Sequence, residues 1–186
     1  MKKIPLIHYG FLLLTVFMGA CEKDEPAKPA VFKDESTITW TVDGTPYTAG
    51  GNSAYTQTEN KTGPTSGLTK DNSHVLIVFN GKQPGTFKMG DAGQAGQADI
   101  QFSNGTKGKS YGNSYIPDCQ QGGFKYADGE VTITKIGKPF DVFKGTGGYV
   151  EGTFTATLYE VNTCGPNQEH VRIKGEFKLL NISDPE

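Results

Sequence analysis

Chemistry in this 186-residue chain has to come from a short roster of side chains. They are Cys21, Cys119 and Cys164, two of the three histidines (His74 and His170), scattered carboxylates and one cluster of rings. A thiol beside an imidazole makes a nucleophile. Cys119 and Cys164 both sit in turn-like sequence, and neither carries a local nucleophile signature. Glycoside hydrolysis needs two acids facing each other across a cleft, one with a raised pKa. Asp118, Asp128, Glu130 and Asp141 lie near loops and read instead as turn formers and solubilising charges. His74 and His170 each open a strand pattern, and no three or four donors recur at zinc spacing. Asp91 and Asp99 flank a Gly/Gln-rich stretch whose spacing matches no calcium loop. There is no Gly-x-Ser-x-Gly elbow and no phosphate-cradling loop. No catalytic residue, metal or cofactor is therefore assigned. The strongest binding feature is the aromatic cluster Tyr111, Tyr115, Phe124 and Tyr126 around Cys119. Such rings stack on sugars or partner proteins when exposed on loops, or else fill the space around the cysteine.

The elements that must position these groups are strands. The composition is rich in Gly, Thr and Tyr and poor in helix formers. Ile38, Trp40 and Val42 alternate with Thr37, Thr39 and Thr41, the period of a half-buried strand. Asp43-Gly44 is a turn signal, and Tyr47 starts the return strand. Residues 75–79 are an unbroken apolar run, which suits a strand covered on both faces. Val131, Ile133 and Ile136 point inward, with Thr132 and Thr134 outward. Val150, Phe154, Ala156 and Leu158 alternate with Glu151, Thr153, Thr155 and Thr157. The last strand places Val171, Ile173, Phe177 and Leu179 inside and Arg172, Lys174, Glu176 and Lys178 outside. Gly152 and Gly175 fall on inward positions, leaving space for a bulky neighbour such as Trp40, or a ligand slot. Residues 81–98 and 104–113 are Gly-rich and read as loops. The pattern predicts a single all-β domain, an antiparallel β-sandwich or flattened barrel, over residues 35–183.

The N-terminus has a different grammar. Lys2 and Lys3 precede an apolar run at residues 11–18, then Gly19-Ala20-Cys21, then the charged and Pro-rich Glu22-Lys23-Asp24-Glu25-Pro26. The run is far shorter than the ~20 residues of a membrane span and suits a signal core. Met18-Gly19-Ala20-Cys21 resembles the cleavage box of bacterial lipoproteins, with methionine where leucine is usual. The resemblance implies removal of residues 1–20, lipid attachment at Cys21 and a disordered tether over residues 21–34. Lys23-Asp24-Glu25 resembles the export tag of Bacteroidetes-type surface lipoproteins, which implies the outer face of the outer membrane. Lipidation of Cys21 leaves Cys119 and Cys164 as a pair, expected to be joined in an oxidising compartment.

The mature chain is mildly acidic. Removing Lys2 and Lys3 takes the net charge from −2 to about −4, and Arg172 is its one arginine, so no basic stripe for nucleic acid exists. The segments Gly129-Glu130-Val131-Thr132-Ile133-Thr134, Val150-Glu151-Gly152-Thr153-Phe154 and Val171-Arg172-Ile173-Lys174-Gly175-Glu176-Phe177 resemble small lipoprotein domains of unknown function. That likeness implies an antiparallel sandwich and carries no known active residues. The expectation is a membrane-anchored, non-catalytic binding or accessory module for a glycan or protein. A hydrolase and a lipocalin-like carrier are the alternatives.

Overall fold

The computed structural model describes residues 33–50, 54–55, 57–58, 61–62 and 65–182, except Gln121 and Val142. Cys21, the Lys23-Asp24-Glu25 tag and the signal segment lie outside the described residues. The described residues form β1 (Thr37–Val42), β2 (Thr45–Gly50), β3 (Ala54–Tyr55), β4 (Gln57–Thr58), β5 (Lys61–Thr62), β6 (Thr65–Leu68), β7 (His74–Phe79) and β8 (Gly85–Met89). These are followed by β9 (Gln97–Asn104), β10 (Lys109–Gly112), β11 (Ser114–Tyr115), β12 (Lys125–Tyr126), β13 (Gly129–Ile136), β14 (Tyr149–Glu160) and β15 (His170–Asn181).

The main sheet runs β2-β1-β15-β14-β13-β8-β9-β7-β6. Because β10 pairs with both β14 and β9, strands β14, β13, β8, β9 and β10 close into a ring. The wing β15-β1-β2 extends from one side of that ring and the wing β7-β6 from the other. Both wings and the ring contribute side chains to one buried cluster that includes Ile38, Ile77, Ile100, Val131, Leu158 and Ile173. The architecture is the expected all-β class. Two short pairings are parallel rather than antiparallel, β8 with β9 and β3 with β15.

Alternation built the clearest strands. Val150, Phe154, Ala156 and Leu158 are buried on β14, as are Val171, Ile173, Phe177 and Leu179 on β15. The jump from Ile133 to Ile136 has a structural cause, a β-bulge between Ile133 and Lys135. The extra residue, Thr134, turns its hydroxyl onto the Glu151 carbonyl at 3.0 Å, which keeps Ile136 packed against the core. The Asp43-Gly44 turn has φ of 47° and 85°, the geometry of a tight two-residue hairpin, and it sets Trp40 opposite Tyr47.

Three expectations are corrected. Residues 81–98 and 104–113 are not simply loops, since they contain β8, the start of β9, and β10. Single rings hold β8 and β10 into the core: Phe87 packs on Phe79 at 4.9 Å between centroids, and Tyr111 is 2% exposed. The run 75–79 is buried on one face only, with Leu76 and Val78 half-buried on the other. Third, the rings nearest the inward glycines are phenylalanines, while Trp40 lies opposite Gly175 alone, across the β1–β15 ladder. Gly152 faces Phe177 and Gly175 faces Phe154 across the β14–β15 ladder. A Cβ on Gly152 would sit 2.7 Å from the Phe177 ring and 2.5 Å from the Thr132 carbonyl oxygen. One on Gly175 would sit 2.6 Å from the Phe154 ring and 2.3 Å from the Thr39 oxygen.

Gly175→Ala and Gly152→Ala should therefore each cost about 1–3 kcal/mol in urea unfolding, as overpacking does. Adding Phe154→Leu to Gly175→Ala should recover only part of the loss, because the clash with the Thr39 oxygen remains.

Candidate functional site

Strands β14 and β15 are each twelve residues long, so their hairpin spans about 35 Å at ~3.3 Å per residue. One end receives the start of the domain. There Ser36 accepts a bond from the Leu180 N–H through its hydroxyl at 2.9 Å, and Glu35 pairs with Lys178 at 3.0 Å. The other end carries the β14–β15 turn and every candidate binding feature.

The first feature is a flap, residues 113–127, that includes the short hairpin β11–β12. Asn113 ties its base to the ring. The Asn113 amide donates to the Gly90 carbonyl at 2.9 Å, and the Asn113 carbonyl accepts the Ala127 N–H at 2.6 Å. A disulfide joins Cys119 in the flap to Cys164 in the β14–β15 turn, with Cα atoms 5.4 Å apart. Gly165, at φ 90°, lets the turn double back so that its N–H meets the Ile116 carbonyl at 2.8 Å. Both sulfurs are used in this bond, so neither is a thiol nucleophile for His74 or His170.

The four aromatic candidates separate. Tyr111 is in the core, and its hydroxyl donates to Glu169 at 2.6 Å. Tyr115 lies against Tyr159 with centroids 4.7 Å apart. Only Phe124 (60% exposed) and Tyr126 (41%) face solvent, meeting edge to face at 5.3 Å. Ile116 and Val161 are exposed apolar residues of the flap and the adjoining turn.

The second feature is a cleft of about 670 Å³ at the same end, bounded by the β1–β2, β6–β7 and β9–β10 turns. Its base holds Tyr47, Phe102 and Tyr111, part of a file of rings that Trp40 backs from outside the cleft. Trp40 stacks on Tyr47 (5.4 Å, 8°), Tyr47 meets Phe102 edge-on (5.5 Å), and Phe102 stacks on Tyr111 (6.1 Å). Asp71 stitches its rim. It accepts from the Thr69 hydroxyl, from the Ser73 hydroxyl at 3.0 Å and from the Thr106 hydroxyl at 3.0 Å. The Thr69 bond is the main reason its carboxyl is held down at about 2. Gly105 lets the two turns touch, since a Cβ there would lie 2.0 Å from the Asp71 carbonyl oxygen. Burial, and then the Asp71 charge, pushes the Tyr47 phenol up. The indole N–H of Trp40 is buried without a hydrogen-bond partner among the described residues.

A charged strap joins the two features. Lys109 on β10 bridges Glu160 at 3.2 Å and Glu169 at 2.5 Å. The Lys109 and Tyr111 bonds hold the Glu169 carboxyl below its usual range. Burial, and then the bond to Glu169, raises the Tyr111 phenol to about 12.

Three of the four acids considered for hydrolysis serve local structure, and Asp128 takes the Thr157 N–H on its backbone carbonyl at 3.0 Å. Asp118 and Asp141 cap turns, accepting the Gln120 and Phe143 N–H groups at 2.7 and 3.0 Å, and Glu130 pairs with Lys88. Asp91 accepts the Gly93 N–H at 2.8 Å, while Asp99 bonds Gln101 at 2.9 Å. Among the described residues no group of three or more His, Cys, Asp or Glu could hold a metal ion. No helix among them is long and apolar enough to cross a membrane. The chain matches no protein-family model, no curated protein and no solved structure.

The Tyr47 cleft was missed by a ring count around Cys119. Its signal was the Asp43-Gly44 turn, whose two-residue register already sets Tyr47 against Trp40.

Two outcomes follow from this geometry. Replacing Cys119 and Cys164 together by Ser should cost up to about 4 kcal/mol in denaturant unfolding, the entropy of closing a loop of this length. Tyr111→Phe should lower the thermal midpoint and weaken its dependence on acid. A carboxylate held down in the folded state stabilises it above the ordinary glutamate range and loses that contribution as pH falls through the depressed value. With part of Glu169's depression removed, less stability remains to be lost in acid. Thermal melts of both proteins across that range measure it.

Proposed function

We propose that this chain is a bacterial cell-envelope lipoprotein. Residues 1–20 are removed, Cys21 carries the lipid, and the β domain is displayed at the outer face of the outer membrane as a non-catalytic recognition module. The signal grammar around Cys21 supports the anchor and Lys23-Asp24-Glu25 the address. A position on the periplasmic face is the alternative. The observation that carries the recognition role is the exposed Phe124–Tyr126 pair. It sits on a disulfide-stapled flap at the end of the β14–β15 hairpin opposite the domain's entry point. Rigid exposed rings give stacking area at small entropic cost. With the polar-rimmed aromatic cleft at the same end, they favour a glycan ligand. The neighbouring Ile116 and Val161 favour a protein partner as the second reading.

The alternatives receive less support. The inward side chains of the ring, among them Phe87, Ile100, Val131, Ile133 and Leu158, belong to one buried cluster rather than lining a ligand chamber. Asp118, Asp141 and Glu130 are engaged in turn capping or ion pairing.

Cys21→Ser should move the protein from the membrane to the soluble fraction, or leave it unprocessed, and abolish fatty-acid labelling. A labelled, membrane-bound Cys21→Ser protein would overturn the anchor. On a glycan array, the double variant Phe124→Ala, Tyr126→Ala should lose binding by about tenfold or more while melting normally. A silent array with the parent protein counts against the glycan reading and for the protein one.

A further inference from the structure

The end of the domain nearest the tether carries its own anomaly. Phe143 is 98% exposed, more than any other large hydrophobic side chain among the described residues. It stands at the tip of a turn that is tightly built. Asp141 accepts the N–H groups of Phe143 at 3.0 Å and Lys144 at 3.1 Å, and its own N–H bonds the Thr146 carbonyl at 2.8 Å. Lys144 closes the turn with an ion pair to Asp141 at 3.1 Å. The legs of the turn are pressed together at Gly137 and Gly148, where a Cβ on either would lie 2.6 Å from the other's Cα. Asn181 at the end of β15 clamps both: it accepts the Phe140 N–H at 2.7 Å and its amide donates to the Gly137 carbonyl at 2.8 Å on one leg, while its N–H meets the Gly148 carbonyl at 3.0 Å on the other. A network this complete holds the ring in water, where an unsupported loop would fold it back.

The same end is where the chain arrives from Cys21. Residues 33–36 dock on β15 and on Tyr149, the Glu35 N–H bonding the Tyr149 hydroxyl at 3.1 Å. Ile182, half exposed, lies one residue beyond the clamp. The described charges here include Lys33, Lys138, Lys144 and Lys178 on one side and Asp34, Glu35 and Asp141 on the other. All three carboxylates are engaged within the domain: Asp34 by Ser36, Glu35 by Lys178 and Asp141 by Lys144. Lys33 and Lys138 are exposed, whereas Lys144 is held by Asp141.

We infer that the Phe143 turn is a second membrane contact: its ring enters the headgroup boundary of the lipid surface to which Cys21 anchors the chain, with Lys33 and Lys138 meeting lipid phosphates. The inference rests on the lipoprotein reading. One ring with a few lysines binds a bilayer weakly alone. Twelve residues between Cys21 and the domain reach at most about 40 Å, so the contact is effectively intramolecular and the weakness is offset by local concentration. Such a contact would hold the β14–β15 hairpin upright, with Phe124 and Tyr126 directed away from the membrane.

The test uses the full chain carrying F143W, lipidated in a bacterial host and placed in vesicles of phosphatidylethanolamine and phosphatidylglycerol. Trp40, 2% exposed, supplies the buried reference emission. The added emission should be blue-shifted and lost when the lipids are brominated near the headgroup, while the parent's emission is unchanged. F143W in a Cys21→Ser background should emit as in water. Water-like, unquenched emission from a chain that carries fatty acid and floats with the vesicles would overturn the membrane contact alone. A parent chain that carries no fatty acid would instead overturn the anchor reading. Since Phe143 packs on almost nothing, the substitution leaves the fold intact.

Discussion

Two glycines and two phenylalanines, crossed over one ladder, set the shape of this domain. Gly152 opposes Phe177 and Gly175 opposes Phe154, so each ring lies over the bare backbone of the neighbouring strand. The pair of rings, 6.4 Å apart, fills the inward space that two ordinary side chains would have overfilled. Aromatic cover of a strand glycine restores the packing that the missing side chain removes. It also brings the backbones close, with the Thr132 and Thr39 oxygens at positions a Cβ would need. Four further strands pair directly with this hairpin. β13 and β10 pair with β14, and β1 and β3 pair with β15.

The length of that hairpin separates two kinds of surface. At one end, Ser36 and Glu35 fasten the arriving chain to β15, and Asn181 braces the Phe143 turn. At the other, the disulfide fixes the flap to the β14–β15 turn, and the Lys109–Glu169–Tyr111 strap fixes β10 beside it. The exposed rings at the two ends are supported by different means. Phe143 stands on a hydrogen-bond and ion-pair network centred on Asp141, whereas Phe124 and Tyr126 stand on a covalent staple. Each support holds apolar surface in water without letting it collapse onto the core.

Much of this was readable in the chain, because a strand with one wet face repeats every two residues. That local rule found β1, β13, β14 and β15 and the side each residue faces. It also found the Asp43-Gly44 hairpin, where two residues with positive φ leave one register available. The rule failed where a strand is held by long-range pairing instead of its own pattern. β8 and β10 are short and Gly-flanked, and each is kept in place by one ring and its neighbours' ladders. The half-exposed face of β7 was hidden for the opposite reason, since an unbroken apolar run looks the same whether one face is covered or two.

By itself, then, the sequence determined the strand-rich class, the inward faces of the C-terminal hairpin, and a pair of cysteines to be joined once Cys21 was set apart. All of these are local or arithmetic properties of the chain. Only the tertiary structure decided which aromatics meet water. Tyr111, Tyr115, Phe124 and Tyr126 look alike in sequence, yet one is core, one lies on Tyr159 and two are exposed. A ring's exposure depends on what the rest of the chain brings beside it. Tyr111 is covered because β9 and β14 flank β10, and Phe143 is bare because nothing in the described chain reaches the tip of its turn.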